Sequence, residues 1–159
     1  MRYARRALIC ALTLILTFSL ISCRGERDTL SLMREFADAY GEGTVYACGI
    51  PEGERGFVGE SFFAELYGAP PYEVENYALL LLPSLTQSGE AGLLLCYRAA
   101  DAMTVEALCL ARLRTLRTAA RLAGRSFPED AFVERHGRYV VYAALPDGER
   151  VRSLFSRLL

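Results

Sequence analysis

Cys23 stands where a charge-free apolar run meets a cluster of charges, in the stretch LISCRGER (residues 20–27). A thiol there can stay an ordinary thiol, end a membrane span, or act as the nucleophile that takes up a lipid. Beyond it lie Cys48, Cys96 and Cys109, with no CxxC or Cys/His ligand spacing among them. Three is an odd number, so at most one disulfide could form within this set, and a metal site has no ligand pattern behind it. Cys96 sits in an apolar run and Cys109 in an apolar helical pattern, where cysteine packs as a small hydrophobe; buried free thiols are the expectation. His136 is the sole histidine. With no partner placed beside it, it makes neither a triad nor a metal site, and it is read as an exposed turn residue. GxSxG, HExxH and P-loop spacings are absent. Glu73, Glu75 and Glu90 could do acid–base work, but nothing in their spacing pairs them. No cofactor is implied.

The context of Cys23 is more informative. MRYARR opens the chain with three arginines and no acid, and the 17 residues from Ala7 to Cys23 carry no charge. A basic start followed by an apolar run is the build of a secretory signal. Seventeen residues is also the lower edge of the ~17–25 that span a bilayer as a helix, so an uncleaved anchor with its N-terminus inside remains open. Two details favour processing: Thr17, Ser19 and Ser22 make the end of the run more polar, and a small residue precedes Cys23. Leu20-Ile21-Ser22-Cys23 resembles the bacterial lipobox. That resemblance implies a diacylglyceryl group on the Cys23 thiol and cleavage before it. Two acyl chains hold a protein stably on a membrane where one binds only marginally. The expected organisation is a signal peptide over 1–22, a tether over 23–29 and one domain over 30–159. The expected location is the outer face of the cytoplasmic membrane.

The basic residues are 18 arginines and no lysine, an imbalance that looks like genome composition rather than arginine-specific recognition. From Cys23 onward 15 arginines face 19 acids; residues 24–100 hold 5 and 12, residues 101–159 hold 10 and 7. That balance gives no footprint for nucleic acid. The 137 residues after position 22 suffice for one domain with a real core.

The elements that must position these groups follow from periodicity. Leu30, Met33, Phe36, Ala37 and Tyr40 recur at helical spacing and Gly41 follows as a stop. TVYAC (44–48) suits a short strand, residues 49–56 are turn-rich and expected to be mobile, and 59–67 suit a short helix. Residues 73–82 and 90–98 predict an antiparallel hairpin joined by PSLTQSG. Asp101 opens the longest helix, stopped at Gly124, with Arg114, Arg117, Arg121 and Arg125 on its outer face. That row could meet lipid phosphates or an acidic partner, but a solvated face is the simpler reading. Two β-prone runs, 131–135 and 138–145, flank a His136-Gly137 turn, and a last helix covers 147–158. The predicted fold is α+β: a four-stranded, mainly antiparallel sheet in ββαββα order, helices on one face, after a helical N-terminal section.

Tyr67-Gly68, the strand ending near Leu82, Glu90, Arg112-Leu113, Phe127-Pro128 and the GRYVVY strand (137–142) carry a further resemblance. Over roughly residues 60–158 the chain resembles a domain of unknown function found in lipoproteins of Gram-positive bacteria. Its members have a longer stretch before the proline, including a tyrosine. No activity comes with that family.

Two function classes therefore stand: a membrane-tethered module that binds an envelope protein or small ligand, and a small extracytoplasmic enzyme acting on envelope material. Tyr40, Tyr46, Tyr67, Tyr72 and Tyr77, with Phe57, Phe62 and Phe63, crowd the acidic half. They could serve recognition, though core packing is expected for most. One ion pair is also expected. Arg112 falls at the centre of the apolar face of the long helix, and Glu90 opens the strand that leads into that helix. A charge in that place needs a partner or a path to water.

Overall fold

The computed structural model describes residues 27–82 and 89–159. Cys23, the lipobox and most of the PSLTQSG loop lie outside the described residues. Asp28 caps helix α1 (Thr29–Tyr40) by accepting from the Ser31 amide at 3.1 Å. Gly41, at φ 102°, ends it in the left-handed conformation that glycine adopts without strain. Thr29, expected in the tether, is a fully buried first residue of that helix. Strand β1 (Thr44–Ala47) follows, then helix α2 (Glu60–Tyr67), β2 (Val74–Leu81) and β3 (Glu90–Cys96). A 3-10 turn at Ala99–Asp101 leads into α3 (Ala102–Leu122), and β4 (Phe132–His136), β5 (Tyr139–Ala144) and α4 (Gly148–Leu158) complete the chain.

The sheet order is β1-β2-β3-β5-β4, antiparallel at every pairing. Among the described residues it has five strands rather than the four expected, because the 44–47 segment adds an edge strand to β2 (Val45 opposite Leu80). The helices do not share one face. Ala78, Leu80, Ala91, Leu93, Val141 and Ala143 point to one side, where α1 (Met33, Phe36) and α4 (Val151, Phe155) cover them. Phe36 and Phe155 stack there with ring centroids 4.2 Å apart. Tyr77, Leu79, Leu94, Cys96, Val140 and Tyr142 point to the other side, under α2 (Phe63, Tyr67) and α3 (Val105, Cys109, Leu113). The result is helix, sheet, helix in three layers, and the physical reason is legible in the central strands. Every residue of β3 is buried, so its alternating side chains are covered on both faces of the sheet and both faces need a helix layer.

Two local expectations change. The hairpin turn is Gly137-Arg138, since His136 pairs with Tyr139 as the last residue of β4. Gly137 takes the positive φ (62°) at the first turn position, and the His136 ring lies beside Glu134, Nε2 to Oε2 3.5 Å. The 49–56 segment is turn-rich but tied down. Ala47 donates to the Gly56 carbonyl at 2.9 Å, Phe57 to that of Glu54, and Ile50 plugs into the core.

Candidate functional site

Four elements converge on one buried polar cluster, and a glycine makes it possible. Gly92 lies opposite Tyr142 in the β3–β5 ladder, and a Cβ on Gly92 would fall 2.1 Å from the Tyr142 ring. Without that Cβ the ring lies across β3, and its hydroxyl donates to Oε1 of Glu90, two residues back on the same face. Arg112, midway along α3, reaches the same carboxylate with a planar fork. Its Nε donates to Oε1 at 2.9 Å and its terminal amino group to Oε2 at 2.7 Å. The side chains are 15% (Arg112) and 6% (Glu90) exposed. Tyr67, the last residue of α2, places its hydroxyl 3.0 Å from that of Tyr142. Tyr142 has one proton and gives it to Glu90, so Tyr67 must donate to the Tyr142 oxygen. The structure thus brings Glu90 and Arg112 together and adds two tyrosines that sequence reasoning left in the general core. An isolated glycine inside an apolar strand was the available signal for such a close approach.

The electrostatics of the cluster favour stability over reactivity. Desolvation, then the Glu90 charge, pushes the Tyr142 hydroxyl well above the ordinary tyrosine range, and burial does the same for Tyr67. Burial opposes the Arg112 charge, but the bonds and charge of Glu90 outweigh it and keep the guanidinium protonated. Glu90 accepts three hydrogen bonds, from Arg112 twice and from Tyr142. A carboxylate so occupied is a poor general base, and the tyrosines are poor acids at neutral pH.

The other candidates are placed as follows. Cys48, Cys96 and Cys109 are free thiols. Burial raises all three, Cys96 to about 11, so thiolate chemistry is suppressed. Cys48 donates to Asn76 Oδ1 at 3.1 Å and accepts from the Tyr77 amide. Glu75 meets Arg138, as Glu90 meets Arg112. Arg114, Arg117, Arg121 and Arg125 are exposed, with the Arg117 guanidinium 4.9 Å from the centre of the Phe127 ring. Tyr40, Phe63, Tyr67 and Tyr77 are buried; Tyr46, Phe57 and Phe62 are partly so; Tyr72 is exposed. Among the described residues no group of His, Cys, Asp and Glu is arranged to hold a metal, and no helix is long and apolar enough to cross a membrane.

Comparison with protein-family models, with curated proteins and with solved structures found no match for this chain.

Proposed function

We propose that this chain is a lipoprotein held at the outer face of the cytoplasmic membrane by a diacylglyceryl group on Cys23. Its folded domain binds an envelope protein or a small ligand. The anchor rests on the basic start, the apolar run and the Leu20–Cys23 tetrapeptide; the fold adds that Asp28 caps α1 only five residues after Cys23. The observation that carries binding over catalysis is the occupied Glu90 carboxylate, whose partners hold α3 against the sheet. These buried bonded groups thereby support the shape of the domain, and recognition falls to its surface. Crosslinking in intact cells, with identification of what is captured, tests this reading. A discrete protein or glycan that also binds the purified protein is the expected result. Turnover of envelope fragments by purified protein, abolished in a folded Glu90→Gln variant, would instead establish an enzyme.

A further inference from the structure

The end of the sheet at which the chain enters the fold also carries the most exposed tyrosines among the described residues. β2 starts there and β3 ends there, Val74 opposite Cys96, and β5 starts there with Tyr139 opposite Leu95. The Tyr139 hydroxyl donates to the Arg27 carbonyl at 2.7 Å, and the side chains of Asp28 and Thr29 both bond that of Asn76 near the start of β2. Tyr72 and Tyr97 flank the same two strand ends, linked by the Tyr97 amide to the Glu73 carbonyl at 3.1 Å. They are 79% and 56% exposed, and Met103, in the first turn of α3, is 67% exposed. These three large side chains give that end of the domain apolar area open to a contact.

The length of the tether says what they contact. Four peptide steps separate Cys23 from Arg27, and an extended chain covers at most ~3.6 Å per step, so a lipid on Cys23 holds Arg27 within about 14 Å of its membrane. Helix α3, with 21 residues, is about 30 Å long at ~1.5 Å per residue. It leaves from the entry end, meets Glu90, the first residue of β3, at Arg112, and runs ten residues further to Leu122, about 15 Å at ~1.5 Å per residue. A leash that short selects the entry end. Tyrosine suits that place, since its ring prefers the headgroup level, apolar body inward and hydroxyl in water. Among the described residues at this end, Arg27 is matched to Glu35, Arg98 to Asp101 and Arg138 to Glu75. Contact there is therefore aromatic and apolar rather than electrostatic.

We propose that this end, with Tyr72, Tyr97 and Met103 foremost, rests in the headgroup layer of the bilayer that holds the Cys23 lipid. The far end of α3 and its arginine row then face away from the membrane. The proposal rests on the lipid anchor at Cys23, and its test reads the two separately. Full-length processed protein is reconstituted through its own anchor into vesicles of phosphatidylcholine and phosphatidylglycerol. The photoreactive residue p-benzoylphenylalanine replaces Tyr72, Tyr97 or, as a distant exposed control, Leu122. Illumination should give several-fold more lipid adducts at 72 and 97 than at 122. Equal adducts at all three positions, or more at 122, overturn the orientation and bring the arginine row to the surface instead. The mass of the N-terminal peptide from the same vesicles reads the anchor. A diacylglyceryl Cys23 without adducts at 72 and 97 refutes the orientation alone; an unmodified Cys23 refutes the anchor, and the orientation with it.

Discussion

Arg112→Met takes both guanidinium donors from a carboxylate that is 6% exposed and leaves it the Tyr142 hydroxyl. Breaking a buried ion pair by removing one partner costs ~3–5 kcal/mol. The 15% exposure of Arg112 shows a partly wet edge, which puts this loss at about 3 kcal/mol. Glu90→Gln keeps the shape and an acceptor, and the stranded arginine can lean along its stem toward water, so about 2 kcal/mol is expected. If the two side chains act as one unit, the double variant buries no lone charge and should lose only about 3 kcal/mol, a coupling of about 2 kcal/mol. Urea unfolding followed by tyrosine near-ultraviolet circular dichroism suits a chain without tryptophan. Each variant should shift the midpoint at unchanged slope, Arg112→Met by about 1.5 M for a slope of ~2 kcal/mol/M. Losses that add to within about 0.5 kcal/mol would show that the pair does not couple α3 to the sheet.

Gly92→Ala sets a methyl group where the Tyr142 ring lies, at 2.1 Å; the ring must move off Glu90, a loss of about 3 kcal/mol by overpacking. Thermal unfolding equal to wild type would show that the ring is not held there. Alkaline pH should also unfold the domain. Tyr67 and Tyr142 are raised by burial, so above pH ~10 the unfolded chain sheds protons that the folded one keeps. The share of stability held by these two groups is full below that pH and falls above it, approaching about 2.7 kcal/mol per pH unit for the two together. The thiols begin the decline lower, near pH 9: Cys96 is pushed up to about 11, and burial raises Cys48 and Cys109 as well. Stability that stays level between pH 9 and 11, measured by urea midpoints, would contradict this burial.

Periodicity placed the helices and both hairpins because an amphipathic face is a local property of sequence. The Schellman end of α3, where Gly124 at φ 63° lets Arg125 donate to the Ala120 carbonyl at 2.8 Å, was equally local. The side of the sheet on which each helix lies is not local. α3 and α4 show the same kind of apolar stripe and pack on opposite faces. The uninterrupted apolar stretches of β2 and β3, in place of strict alternation, carried the missing information. The Glu90–Arg112 contact was legible because a charge at the centre of an apolar face demands a partner, and the adjoining strand offered one acid. Tyr67 and Tyr142 were not, since a buried hydroxyl looks like any core tyrosine until the fold supplies its partners.

The most direct measurement is the intact mass and N-terminal sequence of the protein recovered from cell membranes, for wild type and Cys23→Ala. Wild type should begin at Cys23 and carry a diacylglyceryl group, while Cys23→Ala should take up no labelled fatty acid and accumulate as a precursor starting at Met1. A wild-type protein that begins at Met1 with an unmodified Cys23, or fatty-acid labelling that persists in Cys23→Ala, would contradict the anchor.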